Sequence, residues 1–543
     1  MTQPAADWSA FPHGYSLLLN EKAQFPHDLA NWRLEIDTSR QLFVDTHLIA
    51  AITGLERRLH PAVKHDANPL IRDFWAAYLH PQPEGGYLMY GNGWRGRLDG
   101  RESPDGNAGA NVYLACSTDG LEWEVETEPL LARPDSTTSW QPLQGQLHGL
   151  LHEPHDPDPE QRWKLIIRDR MRPPPSTEKA RFSGSNVHIA LYTSPDGRRW
   201  TWKQDTNLLR KHASFRRDTP LDGYPEGIGD VLQVRWDPVL GRYIAHTKHT
   251  VGPDPRFRMV LHGRETGPTS SWEARVAGWS ESDDLVHWSP PRIYAYPDSE
   301  DTRQPGMYGI YEASGFRYES MWLGCLSMTA NVPDPSCAAV PRHAGGYKRN
   351  WIRLAGSRDG RHWYYLADRS DFIPNGPDDG WDAHYLRMVE QATLGGPVVR
   401  GDEVWFYYHG QYGGIPGCPG LTQPKDKWES AIGVGICPRD RFVSLAAGDE
   451  AGEVITRPLA FTGEGALLLN GVATAGGSIR AAVLDEAGEP LPGLGYDDCE
   501  ALDGDRLRAA VAWSGGSLAR HRGRYLRLAF RLRAAELFSF GIE

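Results

Sequence analysis

Four copies of one short signature run through the middle of the chain: Ser117-Thr-Asp-Gly-Leu-Glu-Trp123, Ser194-Pro-Asp-Gly-Arg-Arg-Trp200, Ser282-Asp-Asp-Leu-Val-His-Trp288 and Ser357-Arg-Asp-Gly-Arg-His-Trp363. In each, Asp follows Ser by two residues and Trp follows Asp by four. Asp119, Asp196, Asp284 and Asp359 stand 77, 88 and 75 residues apart. Self-similarity at such a period constrains the architecture before any single residue does. A second repeat runs in step with the first. Strands led by an aromatic residue begin at Tyr87, Trp163, Tyr243, Trp322 and Trp405, spaced 76, 80, 79 and 83 residues apart. Turn-rich stretches such as Pro81-Gln-Pro-Glu-Gly-Gly86 and Asp237-Pro-Val-Leu-Gly241 introduce them, which is the pattern of hairpins. This repeat occurs five times, and the fifth signature has decayed to Cys437-Pro-Arg-Asp-Arg-Phe442, where Asp440 is read as keeping register.

The chain therefore reads as five units of about 80 residues, each a series of four short strands. Four strands per unit, repeated radially, is the pattern of a β-propeller blade. The expected fold is all-β: a five-bladed β-propeller over residues 41–450, after an irregular lead-in over 1–40. Beyond about Val454 the signature stops. Short apolar strands then alternate with turns such as Asp485-Glu-Ala-Gly488, which predicts a C-terminal β-sandwich over 451–543. The signature itself has a structural reading. Asp closes an Asx-type turn onto its own backbone, Gly supplies a positive φ, and Trp packs between neighbouring sheets.

Composition narrows the partners. A net charge of −12 disfavours nucleic acid and anionic membranes and suits a small neutral saccharide. No apolar run approaches the length of a membrane span. The six cysteines lack CxxC spacing, and the 20 histidines lack an H-E-x-x-H pattern, so neither a disulfide framework, a metal site nor a cofactor is expected. The first residues lack a basic segment followed by an apolar one, which points to a cytoplasmic protein. Self-association into a homo-oligomer is left open.

A five-bladed propeller followed by a sandwich resembles the glycoside hydrolases of family 32, and Ser282-Asp-Asp-Leu-Val-His-Trp288 resembles the blade wording of family 43. More narrowly, Leu42-Phe-Val-Asp-Thr-His-Leu-Ile49, His60-Pro-Ala-Val-Lys-His-Asp-Ala-Asn-Pro69 and Trp236-Asp-Pro-Val-Leu-Gly-Arg-Tyr243 are similar to a group of bacterial family 32-like proteins, as is Gly477-Ser-Ile-Arg-Ala-Ala-Val-Leu-Asp485. The resemblance implies hydrolysis of an O-glycosidic bond, with a fructo- or arabinofuranoside favoured. The chain also departs from family 32. It lacks the Trp-Met-Asn-Asp-Pro-Asn-Gly element and the Glu-Cys pair, and it has Arg168-Asp169-Arg170 where Arg-Asp-Pro is usual.

Glycoside cleavage uses two carboxyl groups, one to protonate the leaving oxygen and one as nucleophile or base. In a propeller the innermost strands converge at one axial end, so acids there that no hairpin turn explains are the catalytic candidates. These are Asp230 and Glu226 in the third unit, Glu312 in the fourth, and Asp382 and Glu390 in the fifth. For Glu312 the alternative is a salt bridge between blades. Substrate-binding candidates are Asp66, Arg168, Asp169, Tyr224, Tyr308, Trp381 and Arg387, since sugars are held by charged hydrogen-bonding groups and by aromatic faces. His148, His246 and His249 are further side chains placed to face the axis. A non-catalytic carbohydrate-binding propeller is the alternative reading of the same features.

Overall fold

The computed structural model describes residues 29–94, 110–131, 145–169, 187–210, 231–251, 260–261, 264–265, 274–295, 307–333, 346–367, 369–412 and 429–543. Among them the chain is almost entirely β, with helix limited to three short 3-10 turns, and no helix is long and apolar enough to cross a membrane.

The four signatures build the same turn. In the first, Ser117 Oγ accepts from Gly120 N at 2.8 Å, and Asp119 Oδ1 accepts from Leu121 N and Glu122 N at 2.8 and 2.9 Å. Trp123 Nε1 then donates to Gly120 O at 3.0 Å. The Ser and Asp bonds recur around Asp196, Asp284 and Asp359, and Trp288 and Trp363 repeat the indole bond. Gly120, Gly197 and Gly360 take φ of 81°, 72° and 71°, and Leu285 takes the same slot at 66°. A carboxylate that accepts two successive backbone N–H groups satisfies donors the turn would otherwise strand, which is why the motif tolerates any residue at its intervening positions.

Each turn joins the third strand of a unit to its fourth. The first unit runs Phe74–Pro81, Tyr87–Trp94, Ala110–Ser117 and Glu124–Val125; the second runs Gly145–His152, Trp163–Asp169, Val187–Ser194 and Thr201–Arg210. The third comprises Leu232–Asp237, Arg242–Val251, Ala274–Ser282 and Arg292–Ala295; the fourth comprises Met307–Tyr318, Met321–Pro333, Gly346–Ser357 and Tyr364–Tyr365. Both are antiparallel meanders. The fifth unit contains Tyr385–Met388, Glu403–Tyr412 and Glu429–Pro438. Having no fourth strand opened by a signature Trp, it takes its edge from Val63–Lys64, which pairs with Gly435 and Ile436. An uncovered edge would leave a row of unpaired backbone groups.

The decayed fifth signature does not keep the register expected of it. Ile436, not Pro438, stands opposite the leading aromatic Trp405, so Asp440 falls four residues on instead of two. Asp440 occupies the left-handed position, at φ 66°. Its carboxylate accepts from Tyr318 Oη at 2.8 Å, Ser539 Oγ at 2.8 Å and Arg40 Nε at 2.5 Å. Freed from the turn, the acid ties the fourth unit to both ends of the chain.

Those ends form one eight-stranded sheet that includes Ile49–Thr53, Glu56–Leu59, Val443–Ala447, Gly452–Thr456, Leu467–Leu484 and Arg527–Ile542. Strands before residue 60 and from 443 onward thus belong together, and the boundaries expected at 41 and 450 fall inside this sheet. The reason is long-range pairing: Ile49–Thr53 has its partner at Gly452–Thr456, with no local signal in either segment.

The first strands of the units lie side by side. Gly149 pairs with Val234 in parallel, and Glu390–Gln391, just past the first strand of the fifth unit, pairs with Tyr78 and Leu79. One turn over residues 391–396 then ties these strands together. Ala392 N donates to Leu79 O at 2.7 Å, Thr393 N to Leu150 O at 2.8 Å, and Trp236 N to Thr393 O at 2.6 Å. Gly396 sits against the fourth unit: a Cβ there would lie 2.3 Å from Phe316 Cγ, and its φ is 73°. Gly396→Ala is therefore expected to destabilise the protein by about 2–4 kcal/mol, the sum of left-handed strain and overpacking. The check is the midpoint of urea unfolding; an unchanged midpoint would mean that the turn shifts away from Phe316 at no cost.

Candidate active site

Strand register divides each unit into two ends. Ser117, Ser194, Ser282 and Ser357 pair with Tyr87, Trp163, Tyr243 and Trp322, so the signature turns all gather at the end where second strands begin. First strands begin at the opposite end. Among the described residues, three of the five carry β-bulges there: between Trp75 and Tyr78, between Leu147 and Gly149, and twice in the fourth unit, between Met307 and Gly309 and between Ile310 and Glu312. Bulges re-aim side chains and cluster beside active sites. His148 and Tyr311 are the extra residues of two of them.

A buried polar chain crosses the first strands at this end. Tyr78 Oη donates to Gln233 Oε1, and Gln233 Nε2 donates to Glu312 Oε1 at 2.5 Å. Arg387 Nε straddles the same carboxylate, 2.8 Å from Oε1 and 2.7 Å from Oε2. Four units thus meet on one acid. Glu312 is only 4% exposed and Arg387 2%. Burial pushes the Glu312 carboxyl up to about 7, while Arg387 and Gln233 pull the other way and Glu390 adds a push. Arg387 itself moves up, because the carboxylate beside it outweighs desolvation, so the guanidinium stays charged.

Glu390 is the second acid of this cluster. Its Oε2 accepts from Gly396 N at 2.5 Å, and Ser314 donates to it as well. Burial raises its carboxyl above the usual range. Arg235 lies near it and pairs with Asp237 at 2.9 Å, which also accepts from Trp322 Nε1 at 2.9 Å. Asp237 is thus held as a structural group, in keeping with its reading as a turn residue.

The other sequence candidates are placed as follows. Asp382 is buried over the face of the fifth sheet, where it accepts from Lys64 Nζ at 2.6 Å and Tyr408 Oη at 2.9 Å. Trp381 stacks on Tyr408 with ring centroids 5.7 Å apart, and its ring fills the space above Gly410 and Gly433. Both pack the fifth unit instead of joining Glu312. Asp66 lies in an exposed turn beside the outermost strand of the same sheet. Arg168 is buried opposite Gln146, at the end where the second unit's first strand begins. His246 packs between Tyr294, Trp363 and Gly315, with Nδ1 3.0 Å from Tyr294 Oη, so it serves the contact of the third and fourth units. His249 Nε2 lies 2.7 Å from Thr247 Oγ1. Asp230, Glu226 and Tyr224 lie outside the described residues, as do the side chains of Asp169 and Tyr308.

Of the sequence candidates, the structure brings Glu312, Arg387 and Glu390 together; the sequence analysis did not single out Tyr78 and Gln233, which join them, or Tyr385 and the bulged Tyr311 beside them. Tyr311 and Tyr385 meet edge to face at 5.5 Å, and with Val231 they form a small apolar cluster separate from the sheet cores. A bulge leaves no mark in a single strand's alternation, because it exists only against the partner strand. Among the described residues no group of His, Cys, Asp and Glu is arranged to hold a metal ion.

No known family model and no curated protein matches the sequence. Solved structures give a weak likeness. BT0996, in its complex with RGII, aligns with a TM-score of 0.40 at 13% identity over 71% of this protein and 93% of that one. A family 117 glycoside hydrolase, Zg3597 from Zobellia galactanivorans, gives 0.36 at 13% identity over 70% and 90%. The β-1,2-mannobiose phosphorylase of Listeria innocua gives 0.39 at 10% identity over 69% and 97%.

Proposed function

We propose that the five units form a five-bladed β-propeller with a C-terminal β-sandwich, and that the protein is a glycoside hydrolase acting where the first strands begin. One observation carries this reading: Glu312, a buried carboxyl group raised to about 7, lies beside a β-bulge where side chains of four units converge. A carboxyl that keeps a share of its protons near neutral pH is what a leaving glycosidic oxygen requires. Glu312 is assigned as general acid, with Arg387 and Gln233 holding its orientation. Asp230, one residue ahead of the described start of the third unit, is assigned the second carboxyl, as nucleophile or base. A furanoside substrate of fructo- or arabino-type follows from the family resemblance.

A second reading has its own support. Glu312 is paired with Arg387, and a salt bridge between units needs no catalysis to explain it. In that reading the protein binds saccharides without cleaving them. A panel of aryl glycosides and natural oligosaccharides separates the two. The hydrolase reading expects release of sugar from at least one member above the rate of a Glu312→Gln control; binding without release from any member supports the alternative.

A further inference from the structure

At the end of the fifth unit where its second strand begins, away from Glu312, the outer edge of the unit and the terminal sheet enclose a cleft of about 540 Å³. Asp402 and Glu403 stand at the start of that strand, and Val63–Lys64 is the outermost strand of the unit. Asp505 and Leu507 face them from Gly504–Ala510 of the terminal sheet. Arg441 enters from the short link between the unit and that sheet, and it is only 8% exposed. Its Nε donates to Asn470 Oδ1 at 2.9 Å and its Nη2 to Asp505 Oδ1, while its guanidinium carbon lies 5.1 Å from the centre of the Phe538 ring. Held on three sides, the guanidinium keeps Nη1 without a partner among the described residues. A donor fixed in this way gives up little freedom when it meets an acceptor.

Asp66, a substrate-binding candidate in the sequence, lines this cleft with Asp402 and Glu403. Asp66 and Asp402 are exposed, and Val63 beside them is 71% exposed although apolar. The lining therefore asks two things of a ligand. A guanidinium only donates hydrogen bonds and a carboxylate only accepts them, whereas a hydroxyl does both. A cationic group would leave Arg441 Nη1 unanswered, and an anionic group would be repelled by the carboxylates. Hydroxyls answer both sets, and the C–H face of a sugar ring suits Val63 and Leu507. The volume is that of a small-molecule pocket and has room for a short oligosaccharide. We propose, resting on the carbohydrate-active reading above, that this cleft is a second, non-catalytic saccharide site, in which sugar hydroxyls donate to Asp66 and Asp402 and accept from Arg441. Because it lies away from Glu312, a saccharide held here is bound without being cut.

Carboxyl footprinting of the full chain locates a ligand without recourse to cleavage. Carbodiimide labelling of Asp66 and Asp402, with the exposed Glu84 of the first unit as a control, is compared in the presence and absence of kestose, arabinotriose, maltotriose and trilysine. At least one trisaccharide is expected to slow labelling of Asp66 and Asp402 at least threefold, to leave Glu84 unchanged, and to do so equally in Glu312→Gln. Leu507→Trp fills the cleft, and Asp402→Asn removes one acceptor at an exposed position. Each, checked for an unchanged unfolding midpoint, is expected to weaken the affinity read from Asp66 protection at least tenfold. Absence of protection by every trisaccharide, equal protection by trilysine, or protection unaltered in both variants would overturn the proposal. Protection of Asp66 and Asp402 with no cleavage of any glycoside by the native protein would leave it standing and remove the hydrolase reading. Cleavage without protection would do the reverse.

Discussion

Glu312→Gln is expected to lower kcat/KM on the best unactivated glycoside by about 10²–10⁴-fold, the range over which a positioned general acid contributes. The replacement keeps the shape of the side chain and an oxygen that can accept from Gln233 and Arg387, which hold the native carboxylate at 2.5 and 2.8 Å. It removes the proton that the leaving oxygen needs. A dinitrophenyl glycoside, whose leaving group needs no proton, is expected to lose far less. The pH profile provides the second readout. An acid raised to about 7 is active in its protonated form, so wild-type activity falls as pH rises through that value, and the variant lacks this alkaline limb. A purely structural salt bridge would depress both substrates alike and leave the shape of the profile unchanged.

Asp45→Ala is expected to cost about 3–5 kcal/mol of stability, as removal of one partner from a buried ion pair does. Asp45 is fully buried, and Arg358 grips both of its oxygens at 2.8 Å. Tyr364 Oη donates to it as well, and His47 N donates at 3.0 Å. The Arg358 guanidinium outweighs desolvation and holds the Asp45 carboxyl far below its usual range. The pair's contribution is therefore complete above the unfolded carboxylate value of about 3.9 and fades as pH falls below it. Urea unfolding at pH 7 measures the loss. Asp45→Ala combined with Arg358→Met is expected to recover part of it, because the second change removes the stranded cation. Strictly additive losses would show that the two residues do not act as a pair.

The pair also shows where sequence reading stops. Arg358 occupies a free position of the fourth signature, where the other copies carry Thr118, Pro195 and Asp283. Nothing in the repeat distinguishes it, and its partner lies 313 residues away. The same holds for the decayed fifth signature. The loss of its Trp was visible, but not that Asp440 would exchange its turn for Tyr318, Ser539 and Arg40. Glu312 and Arg387 were legible as acids and bases that no turn explains, yet Asp382 met the same criterion and proved to be packed against Lys64 and Tyr408. Position in the chain does not say which face of a sheet an acid meets.

By itself the sequence determined the unit. Ser and Asp of each signature bond to backbone groups within three residues of themselves, so the turn is complete inside its own window and its copies count the hairpins. All-β architecture follows from that count and from the strands between the turns. Only the tertiary structure decided the meeting of Gln233, Glu312 and Arg387, which lie 79 and 75 residues apart along the chain. It alone decided that Val63–Lys64 would complete the fifth unit, and that a bulge would set Tyr311 beneath Lys248 and Arg275. Such contacts depend on which strands pair and in what register. That register is settled when the units pack together and residues 391–396 tie their first strands, through hydrogen bonds that no local window contains.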